Sequence, residues 1–308
     1  MNAIIRSISN IKALNSHIMY GLLLAIGAAL GFSVKAIFIK LAYNYEADAI
    51  TLLMFRMAFA LPFFVVIAIA EERKASVPLG ARNTLVICML GMIGYYFSSL
   101  LDFIGLQYVS AGLERLILFI YPTFVVIISS IFFNKKIGKE ATIALFLCYI
   151  GIAFAVFHDL HFTGEHVLFG CLLILGATLT YSLFLVGSGE IIPKVGAKRF
   201  TAYAMIVSCV AVIIQFALMR DASYLDQPLT VYGYGFMLAV VSTVIPAFLL
   251  AEAIHRIGAS STSIIGALGP VATIIMAALI LNEPVSVMQI IGALFVVGGV
   301  ITLGMKRH

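Results

Sequence analysis

AGLERLILFIYPTFVVIISSIFFN, residues Ala111–Asn134, returns in outline as ASSTSIIGALGPVATIIMAALILN, residues Ala259–Asn282. A shift of 148 lays Ala111, Ile117, Pro122, Ile127 and Asn134 on Ala259, Ile265, Pro270, Ile275 and Asn282. The same shift continues without a gap to Ile143 and Gly151, which meet Ile291 and Gly299. A shift of 149 aligns Gly21, Leu23, Leu24, Gly27, Ala28, Leu30 and Ser33 with Gly170, Leu172, Leu173, Gly176, Ala177, Leu179 and Ser182. The chain is built from two related halves, each with the same set of elements.

The nature of those elements follows from composition. Of 308 residues, 63% are hydrophobic and only 11% are charged. A soluble domain carries about 25% charged residues, so this chain has too little polar surface to cover a water-exposed globule. Soluble enzymes, nucleic-acid binders and secreted modules are poor readings. A hydrocarbon core of ~30 Å needs about 20 apolar residues per helix. The turn and charge signals divide the chain into ten apolar runs at 18–41, 50–70, 83–106, 109–133, 141–157, 167–189, 201–218, 230–253, 261–281 and 286–305. The expected architecture is all-α and integral to a membrane: a tail over 1–17, a first five-helix repeat over 18–157 and a second over 167–305. Cys88, Cys148, Cys171 and Cys209 all fall inside apolar runs and read as small core residues.

Lys and Arg give an independent test of the count. With the N-terminus placed in the cytoplasm, fourteen of the 19 fall in cytoplasmic segments, four lie within spans, and Arg220 alone sits in an outer loop. Ten spans with both termini cytoplasmic is the expected topology. Five spans per half is an odd number, so the second half sits upside down relative to the first. Inverted repeats around a central site are common among secondary transporters. Pro122 and Pro270 occupy equivalent mid-helix places, where helix kinks are expected.

Charge inside a span is costly, and by default it faces the protein interior, a partner or a water-filled cavity. Lys35, Arg56, Asp102, Glu114 and Arg115 come from four different helices of the first half, yet all fall roughly 6–9 Å below the outer boundary at ~1.5 Å per residue. Gly91, Tyr95, Ser98, Asp102 and Gly105 form a small and polar stripe at three-to-four spacing on the third helix. Glu114 shares a helical face with Tyr121, whereas Glu114 and Arg115 diverge by ~100°. The repeat places Phe184, Leu250, Thr262 and Ser263 opposite Lys35, Asp102, Glu114 and Arg115, so the scaffold does not require charge there. Two readings stay open. Buried ion pairs such as Arg56–Asp102 or Lys35–Glu114 could fix packing, or Lys35, Arg56, Tyr95, Ser98, Asp102, Glu114, Arg115 and Tyr121 could bind or gate a solute. The five charges sum to +1 when ionised, which favours an anionic or zwitterionic solute.

Other clusters carry less. Glu252 and Arg256 have the spacing of an i,i+4 surface pair. His158, His161 and His166, beside Asp159 and Glu165, read as a solvated loop and not as a metal site. No Gly-rich turn ends in Gly-Lys-Ser/Thr, so direct ATP drive is not expected.

The small residues Ser260–Ser263, then Gly269-Pro270, Leu281-Asn282-Glu283-Pro284 and Gly298-Gly299 resemble the closing half of an EamA-type transporter of the drug/metabolite transporter superfamily. Gly31-Phe32-Ser33, Lys40-Leu41-Ala42 and Arg56 resemble its opening helices. The resemblance implies a ten-helix secondary transporter, often an exporter of amino acids or related metabolites. Leu30-Gly31 stands where such proteins often have Trp-Gly, and Lys35 and the Glu114-Arg115 pair are departures. With Lys35 in the place of a first-helix acid, cationic drug efflux is disfavoured. The expected function is alternating-access transport of a small polar metabolite across the cytoplasmic membrane, with organic-anion or phosphorylated-metabolite exchange as the alternative. A non-transporting structural or receptor-like membrane protein is the reading from another class. The expected partners are a small-molecule substrate, the lipid bilayer and a coupling proton or counter-substrate, with the chain acting as a monomer. No enzyme activity, nucleic acid, metal or cofactor is expected.

Overall fold

In hydrocarbon every backbone N–H and C=O must be satisfied within the protein, which leaves helices as the economical answer for apolar runs of this length. The computed structural model describes residues 2–75, 77–133, 142–143, 146–147, 149–151, 153–154, 166–266 and 268–304. Helix α1 (Asn2–Tyr43) reaches back through the expected tail, and α2 (Ala49–Lys74) comes next. The third run comprises α3 (Ala81–Gly91), a π-helical segment π1 (Met92–Phe97) and α4 (Ser98–Gly105). The fourth run is α5 (Ala111–Leu118) and α6 (Tyr121–Phe133). After it come α7 (Val167–Val195), α8 (Ala197–Met219), and α9 (Leu229–Ala239) leading through π2 (Val240–Val244) into α10 (Ile245–Gly266). Helices α11 (Leu268–Ile280) and α12 (Val287–Gly304) complete the set.

Among the described residues, seven helical stretches are long and apolar enough to cross a membrane, and Leu268–Ile280 and Val287–Gly299 are shorter apolar helices. The expected fifth helix, 141–157, lies largely outside the described residues, as do Cys148 and the loop carrying His158, Asp159, His161 and Glu165. Two expected loops are much reduced. Only Gly196, at φ 85°, separates α7 from α8, a left-handed joint that favours glycine. The expected break over 254–260 is helical, because α10 runs unbroken to Gly266. No proline interrupts that stretch, and Arg256 Nε bonds Glu252 Oε1 at 2.7 Å one turn back along it.

Both π segments sit in helices related by the repeat. Met92 and Val240, their first residues, are 148 apart, which is the repeat shift itself. Pro246 lies just beyond π2. Its ring and missing N–H disturb the α ladder, and the wider turn ahead of it absorbs that disturbance. Ser242 and Thr243 hydroxyls both donate to the Leu238 carbonyl at 2.8 Å. Pro122 also comes after a break: the α ladder stops at Leu118 and resumes at Tyr121 after a turn at Phe119 and Ile120.

The two halves interlock through antiparallel helix pairs held close by small residues. Gly21, Gly27 and Gly31 of α1 run against Ile257, Leu249 and Pro246 of α10. Gly105, Ser98 and Gly94 run against Gly170, Ala177 and Phe184 of α7. Helix α2 pairs with α8 and is fastened near both ends. Arg220 Nη2 reaches Asp48 Oδ1 at 3.2 Å, and Arg199 forks onto Glu72 at 2.8 and 2.6 Å. Helix α5 lies on α11, with Gly112 against Ile274. Small residues let backbones approach where lipid offers no hydrophobic drive for helix association.

A side chain at these crossings has nowhere to go. A Cβ at Gly94 would stand 2.2 Å from the Phe184 ring, whereas Gly189 meets nothing within 4 Å. Gly94→Val is expected to lower the thermal unfolding midpoint of the purified protein in detergent, at an overpacking cost of about 1–3 kcal/mol. Gly189→Ala is expected to leave it unchanged or slightly raised. Equal behaviour of the two variants would contradict close packing at the π1–α7 crossing.

Candidate functional site

The first helix is anchored two residues before its lysine. The Ser33 hydroxyl donates to Gly269 O at 3.1 Å, and Thr273 Oγ1 donates to Ser33 O at 3.2 Å, which fixes α1 on α11. Lys35 then projects between α4 and α5. Its Nζ lies 2.5 Å from Asp102 Oδ2 and 3.0 Å from Glu114 Oε1. Glu114 is completely buried and Asp102 nearly so, at 0% and 3% exposure. One ammonium thus serves two carboxyl groups. The 3.0 Å approach is an ion-pair contact without hydrogen-bond geometry: both Glu114 oxygens and Asp102 Oδ1 lack a hydrogen-bond partner. Of the two expected pairs, Lys35–Glu114 is present and Arg56–Asp102 is not, because Lys35 takes Asp102 as well.

Arg56 instead bonds hydroxyls. Its Nε donates to Thr243 Oγ1 at 2.9 Å and its Nη1 to Ser99 Oγ at 3.2 Å, while the guanidinium carbon sits 5.5 Å from the centre of the Phe103 ring. Thr243 belongs to π2, and Ser99 stands two residues past the end of π1. A single arginine therefore joins the two π-bearing helices.

Arg115 leaves α5 on the other side, as the rotation between neighbouring residues requires. Its guanidinium lies over Gly269, where a Cβ would meet Nη2 at 2.8 Å. The absent side chain of Gly269 makes the room. Among the described residues, the buried Arg115 Nε has no hydrogen-bond partner. Among the described residues, neither Arg56 nor Arg115 has a carboxylate at ion-pair distance.

Aromatic rings pack on one another near these arginines. Tyr121 meets Tyr181 edge to face at 5.8 Å, Tyr181 stacks near Phe184 at 5.9 Å, and Tyr95 leans on Phe184 at 4.7 Å. Tyr181 lies within electrostatic reach of Tyr95, Tyr121 and Arg115, and Tyr95 within reach of Arg56. A turn at Phe119–Ile120 lies between Glu114 and Tyr121. Ser98 is drawn elsewhere, donating to Ala177 O at 3.0 Å across the α4–α7 crossing. Most of the small-residue stripe is likewise buried against α7, and Asp102 alone turns to α1.

Sequence reading passed over Tyr181, Thr243, Ser99 and Glu283. Pro246, in mid-helix, was the available signal for π2. Glu283 caps α5: the Ala111 N–H lies 3.2 Å from both its carboxylate oxygens, an acid at a helix N-terminus. Asn282 just before it takes φ 53° to bring that carboxylate into place. The Asn-Glu-Pro motif was legible, but its target across the repeat was not.

The model of the EamA-like transporter family matches residues 19–157 and 168–305, and the two matched stretches fit a chain of two repeats. The "Uncharacterized transporter YcbK" of Bacillus subtilis is 32% identical over 267 residues, covering 85% of each chain. A WAT1-related protein of Arabidopsis thaliana is 22% identical, over 87% of this chain and 84% of its own. One solved crystal structure covers 94% of this chain and 99% of its own with a TM-score of 0.60 at 16% identity, a likeness of fold.

The triad makes a test of its own. Lys35→Met removes the cation and leaves two buried carboxyl groups, at an expected cost of about 3–5 kcal/mol. The triple variant Lys35→Met, Asp102→Asn, Glu114→Gln removes all three charges and is expected to recover most of that loss. Unfolding midpoints in detergent decide it: a triple variant no more stable than Lys35→Met would contradict a mutually dependent triad.

Proposed function

This chain belongs to the EamA-like transporter family, and we propose that within it the protein is a secondary transporter of a small, carboxylate-bearing polar metabolite. It is a multi-pass membrane protein, as the family and the apolar helices require. The proposed topology is ten spans in a 5+5 inverted repeat within the cytoplasmic membrane, both termini inside, acting as a monomer. Transport is by alternating access between the halves, in the export direction that the family resemblance suggests.

The observation that carries the substrate class is the state of two cations. Lys35 is occupied by Asp102 and Glu114, whereas the Arg56 and Arg115 guanidiniums hold no carboxylate among the described residues. Guanidinium matches carboxylate geometry with paired N–H donors. A solute carboxylate at Arg115 would fill the vacancy at its buried Nε. Tyr95, Tyr121 and Tyr181 supply an aromatic wall with polar tips, suited to an amino-acid-like body. Lys35, Asp102 and Glu114 set the local field, and Ser98 holds the wall in place. The break before Pro122 gives the fourth span a place to bend, and Pro270 is the equivalent position of the ninth span. Exchange of organic anions or phosphorylated metabolites is the second reading, because the same guanidiniums also fit phosphate.

A thermal-shift screen of the purified protein against amino acids, organic acids, nucleosides and phosphate esters identifies the class, since a ligand of the folded state raises apparent stability. Carboxylates are expected to stabilise, and Arg115→Gln to weaken the best of them about tenfold or more, as loss of a hydrogen bond to a charged group worth ~1.5–3 kcal/mol implies. Stabilisation by phosphate esters alone favours the exchanger. Uptake of the best ligand into proteoliposomes, with and without counter-substrate inside, then separates coupled modes. Arg115→Gln binding the ligand as well as the wild type would remove the basis for the assignment.

A further inference from the structure

We propose that Asp102 and Glu114, held on the one ammonium of Lys35, form a proton-binding site in which the two carboxyl groups keep a single exchangeable proton between them. The inference deepens the transport reading by naming a coupling ion.

Four observations converge on it. The triad is buried, with Glu114 at 0% and Asp102 at 3% exposure. It carries one cation at contact distance for two acids, so full ionisation leaves the buried triad itself with a net negative charge, with Arg56 and Arg115 beyond ion-pair reach. A buried charge without a partner is costly, and two carboxylates in one site resolve that cost by sharing a proton. Both acids also reach the same ammonium nitrogen, at 2.5 and 3.0 Å, which places the two carboxyl groups in one site, where one protonated carboxyl can donate to the other. Finally, three of their four oxygens have no donor from elsewhere: Asp102 Oδ1 and both Glu114 oxygens. A shared proton supplies the missing donor.

The surrounding groups do not remove the need. Helix α1 presents Lys35 and Tyr43, and the Tyr43 hydroxyl donates to Phe103 O at 2.5 Å and not to either acid. Helix α2 presents Arg56, committed to Thr243 and Ser99. Arg115, on the same helix as Glu114, turns to Gly269. Helix α7 offers Cys171 and Tyr181 as its titratable groups in the segment packed on α5, and α11 and α12 contain none. Glu283, at the N-terminus of α5, is engaged with the Ala111 N–H. Among the described residues, no second cation stands at ion-pair distance from either acid.

The proton sits beside the site proposed for the solute. Arg115 adjoins Glu114 in sequence and supports its negative form. An anion bound to Arg115 takes up that support, so anion binding and proton binding favour one another, and linkage makes the effect reciprocal.

Infrared spectroscopy of the purified full-length protein in lipid nanodiscs tests the site with the proton itself as the ligand. Near neutral pH the wild type is expected to show a protonated-carboxyl C=O band that shifts in D2O and disappears reversibly as pH is raised. Glu114→Gln and Asp102→Asn should each abolish it, because either variant leaves one carboxylate matched to one ammonium. Lys35→Met should enlarge it. Absence of a titrating band in the wild type would overturn the proposal, and so would a band that survives unchanged in both single variants. The wild-type titration stands even if a variant folds poorly. The readout needs no transport, so a failed uptake assay would sink the solute assignment and leave the proton site intact.

Discussion

Everything at the centre of this protein is arranged around the ammonium of Lys35. An ionised group far from water must find opposite charge or strong dipoles, and Lys35 finds Asp102 from α4 and Glu114 from α5. The contact sets the register of three helices at once, because a slide of one turn, ~5.4 Å, would separate the charges. It also explains why Asp102 departs from its stripe. Gly91, Tyr95, Ser98 and Gly105 pack against the second half, whereas the Asp102 carboxylate is drawn to the Lys35 ammonium. A buried ionic group is weak evidence for net stability, since apolar replacements can do as well. Its value lies in specifying one arrangement of α1, α4 and α5.

Arg56 works differently. It has no acid and spreads its charge over Thr243, Ser99 and the face of Phe103. Those partners lie in or beside two π segments separated by the repeat shift. π turns within α-helices are uncommon and concentrate at functional sites. Here the symmetry of the fold supplies two, and one arginine from the first half touches the helices that contain both. The aromatic wall of Tyr95, Phe184, Tyr181 and Tyr121 begins where π1 brings Gly94 against Phe184.

Much of this was legible in the sequence, for definite reasons. A repeat with an ungapped shift of 148 leaves little freedom in the order of elements. The cost of charge in hydrocarbon made Lys35, Arg56, Asp102, Glu114 and Arg115 stand out, and depth counting put them in one layer. Glu252 and Arg256 pair as their spacing dictates. What escaped the sequence was partner choice. Lys35–Glu114 and Arg56–Asp102 conserve charge as well as the observed triad does, and only the packing of α1 between α4 and α5 decides between them. Helical periodicity does not announce a π turn either, so the stripe on the third helix looked continuous. The run through 254–260 looked like a loop because of its charge and small residues, but its backbone had no reason to break.

The distribution of strong and weak contacts bears on how two such halves move. Lys35, Asp102 and Glu114 all belong to the first half, so the strongest central electrostatics lie within one unit. Contacts across the centre are of another kind: Arg56 to a threonine hydroxyl, Ser33 to the Gly269 carbonyl, Arg115 over the bare backbone of Gly269. A neutral bond such as that of Ser33 contributes about 0.5–1.5 kcal/mol net, and a guanidinium–hydroxyl bond about 1.5–3, each less than the ~3–5 kcal/mol of breaking a buried ion pair. Ionic contacts between the halves occur toward the ends of the α2–α8 pair, Asp48 with Arg220 and Glu72 with Arg199. Each of those pairs is partly exposed, where water can replace the partner. A charged cluster inside one half, hydrogen bonds between the halves near it and partly exposed ion pairs near the ends are an arrangement that could change contacts without stranding a charge in lipid. In the proposed cycle the triad would accordingly travel as a unit, and Arg115 and Arg56, whose contacts cross between the halves, would be the cations that change partners.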